Sequence, residues 1–162
     1  MGRIYTVPFA SGTVTNAGGN VDLWELTPAD DKPIRLRGFI LGQTSEVGDA
    51  AEEAVNISVI HLGSAVTSGN GTSVTPVPVD VAVGAAAGFT AEINGATVAT
   101  TSGTATTIYE FCWNQRSSPY EVWFPDDRFC PMARQAAALV IRMNTTVADD
   151  ITFAGTAIVE EE

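Results

Sequence analysis

Apolar and polar residues alternate over most of this chain rather than recurring every three or four positions, and Val, Ile and Thr fill the alternating runs. That period predicts half-buried β-strands, not amphipathic helices. Behind Pro33, the run Ile34 to Leu41 places Ile34, Leu36 and Ile40 on one face and Arg35, Arg37 and Phe39 on the other. Val55 to Leu62 repeats the pattern with Val55, Ile57 and Val59 inward and His61 on the same face by parity. Phe89 to Ile93 and Ala96 to Ala99 flank Asn94-Gly95, a dipeptide suited to the two-residue turn of a hairpin. Further strands are expected at Thr106 to Trp113, Tyr120 to Phe124, Ala137 to Met143 and Ile151 to Glu160. In the last, Ile151, Phe153 and Val159 alternate with Thr152, Ala154 and Thr156, and the polar stretch Asn144 to Asp150 suggests that the final two strands form a long hairpin.

Short strands separated by Gly, Pro, Asn and Asp clusters predict an all-β fold: a single domain spanning 1–162, an antiparallel two-sheet sandwich of jelly-roll-like type. Met1 to Asn20 reads as a first strand or as an extended N-terminal arm hinged at the Gly-rich Ala17 to Asn20. Gly63 to Gly88, with Pro76 and Pro78 barring a central strand, reads as a long surface segment. Val47 to Ala54 and Ala82 to Ala87 are the only helix candidates, and either could be a loop.

Charge narrows the partners. The 162 residues carry 19 acidic against 8 basic side chains, a net charge of -11, and Lys32 is the sole lysine. Duplex DNA, RNA and anionic membranes are captured by clustered Lys and Arg, so neither nucleic acid nor membrane is expected as a partner. No apolar run approaches the roughly 18 residues of a membrane helix, and the opening residues lack a signal-peptide pattern, so a soluble product is expected.

Candidate chemistry is sparse. Any Ser-His or Cys-His catalytic pair would have to use His61, the single histidine, which sits in an apolar run without a nucleophile motif. Cys112 and Cys130 are too few for a disulfide framework or a four-ligand zinc site. The acidic pairs Asp30-Asp31, Asp126-Asp127 and Asp149-Asp150 lack EF-hand spacing and match ordinary turns. No cofactor, no metal and no enzymatic activity are expected. Tyr109, Phe111, Trp113, Tyr120, Trp123, Phe124 and Phe129 lie close together in sequence, and such a cluster serves either a core with a subunit contact or a sugar-stacking platform.

Two stretches carry a resemblance. Pro28 to Gly38, continuing through Gly42 to Asp49 into Ile57 to Ile60, and then Tyr120 to Pro125, Ala138 to Met143 and Asp149 to Thr156 with the acidic ending Glu160 to Glu162, resemble small jelly-roll virion structural proteins of tailed bacteriophages. The resemblance implies a capsid decoration or cement protein: made in the host cytoplasm, bound to the outside of an assembled head through its major capsid protein, and commonly trimeric. A head-fibre base, a tail component or a carbohydrate-binding adhesive module is the alternative. Under the decoration reading the expected capsid or subunit contacts are Ile4, Tyr5 and Phe9 of the N-terminal strand or arm, Arg35, Arg37 and Phe39 of the run behind Pro33, and Trp113, Trp123 and Phe124.

Overall fold

The computed structural model describes residues 2–15, 19–44, 54–82, 84–114, 117, 119–144 and 146–162, among which there is no helix. Among the described residues fourteen strands are formed: β1 (Arg3–Val14), β2 (Val21–Pro28), β3 (Ile34–Gln43), β4 (Ala54–Leu62), β5 (Val66–Thr67), β6 (Thr72–Val74), β7 (Val77–Pro78), β8 (Phe89–Gly95), β9 (Thr100–Thr101), β10 (Ala105–Asn114), β11 (Tyr120–Trp123), β12 (Met132–Ala133), β13 (Ala138–Met143) and β14 (Ile151–Glu161). Sheet A has the order β11-β3-β14-β1-β7, with β12 continuing the β11 edge, and sheet B has the order β10-β4-β13-β2-β8-β6. All pairings are antiparallel.

The pairing follows one rule. β1 pairs with β14, β2 with β13, β3 with β11 and β12, and β4 with β10. The chain is therefore one long hairpin, doubled back between β4 and β10, whose successive strand pairs fall alternately into sheet A and sheet B. Pairs β3·β14 and β4·β13 then close each sheet. The alternating pattern drives this, because each strand has one face to bury and two stacked sheets bury both sets.

The core lies between the sheets and is built around Trp24. Its indole Nε1 donates to the Val7 carbonyl at 3.1 Å, and its ring meets Phe9 edge-on at 5.5 Å and Phe39 at 6.2 Å. Gly155, opposite Phe9 on β14, makes room for it. A Cβ there would stand 2.4 Å from the Ile40 carbonyl oxygen and 2.9 Å from Trp24 Cη2. Each large apolar side chain so buried contributes roughly 1.5–3 kcal/mol.

Several expectations are corrected by these pairings. The simple alternation through β3 breaks at Arg37, which the β14 register skips between Leu36 and Gly38. This β-bulge resets parity, so Phe39 and Leu41 join Ile34 and Leu36 in the core while Ile40 turns outward. The expected C-terminal hairpin is absent, since β13 lies in sheet B and β14 in sheet A. Ala138 to Ile141 are buried without interruption and need cover on both faces, a place that exists between β2 and β4. Nor does Asn94-Gly95 turn a hairpin. Asn94 has the left-handed φ of 53° that the dipeptide favours, yet Gly95 still pairs with Asp22, and the following Thr97 is held by Asn70 rather than returning beside β8. Of the two readings of Met1 to Asn20, the first strand is the one formed: Arg3–Val14 is β1, paired between β14 and β7 in sheet A. Of the helix candidates, residues 47–53 and 83 fall outside the described residues, and 84–87 are irregular.

The segment between β4 and β10 is an insertion laid on its own subunit. Its β8 extends sheet B past β2, its β7 extends sheet A past β1, and β5 and β9 pair with each other. β7 and β8 thus cover the β1 and β2 edges, while Val66 of β5 packs over the outer face of sheet B.

Candidate interaction surface

The two outer faces of the sandwich are treated differently by the chain. Over sheet B the insertion forms a second small apolar cluster, with Ile60, Leu62, Ala99, Ala138 and Val140 buried and Val66 packed against them. Two buried acids tie it down. Asp22 accepts the Ala99 amide at 2.6 Å and pairs with Arg142, and Glu25 accepts the Gly69 amide at 3.1 Å. Burial pushes the Asp22 carboxyl above its usual range, against the pull of the Arg142 hydrogen bonds.

Among the described residues no such lid lies over sheet A. The cross-strand register sets out one outward row as Trp123, Gly38, Ile158, Thr6 and Val77, and the next as Glu121, Ile40, Thr156 and Pro8. The first row carries no charge and the second carries one. Trp123 is 54% exposed and lies across Gly38, where a Cβ would stand 3.0 Å from the indole Cε3 and 2.4 Å from the Val122 carbonyl oxygen. Only glycine lets the ring sit so close to the sheet. The indole Nε1 donates to Glu121 Oε2 at 3.3 Å, which holds the ring in place.

One end of this face is an ion-pair lattice. Arg35 pairs with Glu162 and Arg37 with both Asp127 and Glu160, while Lys32 pairs with Glu161, which is buried and turned inward beside Ile34. The bulge at Arg37 aims its guanidinium at both partners, and the Asp127 and Glu160 hydrogen bonds hold it firmly protonated. Arg35 also donates through Nη1 to the Asp127 carbonyl at 3.0 Å, and the exposed Asp126 carboxyl is held below its usual range by Arg128. In a chain of net charge -11, the outward pairs at this end set two cations, Arg35 and Arg37, against three carboxylates.

The sequence-expected contact residues divide sharply. Tyr5, Phe9, Phe39 and Trp113 are buried in the subunit's own core and leave no side chain for a partner. The physical reason is parity in β1 and β10 and the bulge in β3, which turn these rings between the sheets. Trp113 stacks on Tyr120 at 5.7 Å and leans on Phe153, while Tyr109 stacks on Phe111 at 5.9 Å. Phe124 is half-buried, 4.9 Å from Tyr109 between the β10 and β11 edges. Ile4, Arg35, Arg37 and Trp123 do come together on the sheet A face. Ile158, Ile40, Pro8 and Val77 were missed, because their outward direction depends on register. Glu160 to Glu162 stood in the sequence as an acidic tail without sign of their cation partners.

Among the described residues no three His, Cys, Asp or Glu side chains stand close enough to hold a metal ion. His61 lies on β4 opposite Leu139, half-buried. A shallow cleft of about 360 Å³ opens between the start of β1 and the loop after β7, lined by Arg3, Ile4, Pro78, Val79 and Asp80 among others. Comparison with protein-family models, with curated proteins and with solved structures finds no match to this chain.

Proposed function

We propose that this protein is a structural component of a phage virion that binds the outside of an assembled head through its major capsid protein and reinforces the lattice, a decoration or cement protein without catalytic activity. The observation that carries the reading is the asymmetry of the sandwich: one outer face is covered by the chain's own insertion, and the other is bare of any such cover around Trp123 among the described residues. The winding of the strands is read as a jelly roll, with β1, β14, β3 and β11 in one sheet and β2, β13, β4 and β10 in the other, and this supports a virion role by fold alone.

At about 4.8 Å strand spacing and about 3.3 Å per residue, some six residues from each of β3, β14 and β1 with the short β11 and β7 make a face of roughly 400 Å². That is the size of the largest, often functional, apolar patch on a monomer and less than the roughly 800 Å² per partner of a standard stable interface. Such a contact is weak singly and strong when repeated over a lattice or in a trimer. A glycan-binding module is less well supported, because Tyr109, Phe111, Trp113 and Tyr120 pack within the protein and leave Trp123 as the ring that lies open on this sheet.

The test is co-sedimentation of the purified protein with shells that lack it, with light scattering for the mass of the free form. Saturable pelleting at a fixed ratio to the major capsid protein, lost in Trp123→Ala and Ile158→Arg, supports the reading. Protein that stays in the supernatant at all ratios refutes it, and binding of Trp123→Ala at wild-type level refutes the assignment of the face.

A further inference from the structure

Glu25 on β2 and Glu92 on β8 stand directly opposite each other on the covered face of sheet B. Like charges in that position repel, and Glu25 is only 4% exposed. Ser68, in the insertion, places its Oγ 3.1 Å from Glu25 Oε2 and 3.0 Å from Glu92 Oε2. A hydroxyl has one hydrogen to give. If both carboxyls are ionised, Ser68 serves one of them and faces the other lone pair to lone pair. Both contacts are hydrogen bonds only when one carboxyl is protonated and donates to Ser68 Oγ while the Ser68 hydrogen goes to the other.

We infer that Glu25, Ser68 and Glu92 form a proton-operated clasp, in which one proton shared between two carboxyls fastens the insertion to sheet B. Among the described residues nothing stands ready to replace that proton. On β2 the other charge is Asp22, which is already taken by Arg142 of β13, and the β13 residue opposite Glu25 is Val140. On β6 the residue opposite Glu92 is Ser73, and Asn70 of the loop is bonded to Thr97. Among the described residues no cation pairs with Glu25 or Glu92. Burial, and then the Glu92 and Asp22 charges, push the Glu25 carboxyl up, outweighing the Gly69 and Ser68 hydrogen bonds that pull it down.

The sign follows from linkage. A carboxyl raised on folding contributes stability that is complete below its unfolded value and is lost as pH rises through its folded value. Acid therefore tightens the clasp. Proton loss loosens the loop around Ser68 and Gly69 and, with it, the cover over Ile60, Leu62, Ala138 and Val140.

The test uses the full chain, with carboxyl ¹³C NMR titration of Glu25 and hydrogen exchange at the Gly69 amide. The Glu25 midpoint is expected above the ordinary value of about 4.3. Exchange at Gly69, corrected for the intrinsic pH dependence, is expected to rise roughly tenfold between about pH 5 and pH 8, while amides in the β2·β13 ladder stay protected. Glu92→Gln should lower the Glu25 midpoint and flatten the rise, and Ser68→Ala should uncouple the two. A wild-type Glu25 midpoint at or below the ordinary value overturns the inference, as does Gly69 exchange that is the same in Glu92→Gln and wild type at both pH values.

Discussion

Removing Arg142 alone tests how the insertion is held. The Asp22–Arg142 pair lies under Ala99 with side chains 2% and 13% exposed. Arg142 donates Nε to Asp22 Oδ1 at 2.5 Å, Nη2 to Asp22 Oδ2 at 3.1 Å and Nη2 to the Ala99 carbonyl at 2.8 Å. In Arg142→Met all three bonds go, leaving Asp22 with the Ala99 amide and a buried charge. Breaking one side of a buried pair costs about 3–5 kcal/mol. At about 2–4 °C per kcal/mol for a chain of this size, the melting temperature should fall by roughly 6–20 °C. The double variant Asp22→Asn/Arg142→Met removes the charge with the cation and leaves an amide oxygen to accept from Ala99, so it should cost less than the single variant, about 1–2 kcal/mol. Urea unfolding at pH 7 with the slope held common gives both numbers. Asp22 also fixes a pH signature. Its raised carboxyl favours the protonated form in the folded state, more strongly once Arg142 is gone, so Arg142→Met should regain stability between about pH 7 and pH 5 to a greater extent than wild type. An Arg142→Met cost below about 1 kcal/mol, or a double variant worse than the single, refutes the reasoning.

Three further outcomes are expected. Gly155→Ala should lose about 1–3 kcal/mol and alter the near-ultraviolet circular dichroism of Trp24, because the new methyl must displace the Ile40 carbonyl or the indole. Trp123→Ala should leave the urea midpoint nearly unchanged, within about 0.5 kcal/mol, while abolishing shell co-sedimentation, since that ring makes an exposed contact rather than a core one. Added salt should raise the melting temperature modestly by screening the excess of 19 acids over 8 bases; strong destabilisation by salt would show that the ion pairs of sheet A outweigh the repulsion.

Alternation of apolar and polar residues determined the strands themselves and the antiparallel two-sheet class, because a strand's period of two shows directly in the chain. The inward sets Val55, Ile57, Val59 and Ile151, Phe153, Val159 were legible for the same reason. The acidic balance was equally plain from composition. Tertiary structure alone decided which strands became neighbours. β13 and β14 adjoin in sequence and part into different sheets because one is buried on both faces and the other on one, a difference that appears only when the sheets are assembled. Phe39 was assigned to the wrong face because a single skipped residue, Arg37, inverts every side chain beyond it, and a bulge leaves no periodic trace in sequence. The candidate surface was half visible. Trp123, Arg35, Arg37 and Ile4 could be singled out, but Ile158, Pro8 and Val77 join them only through cross-strand register. Glu25, Ser68 and Glu92 come from three separated segments, and only the packing of the insertion against sheet B brings one hydroxyl within reach of two carboxyls.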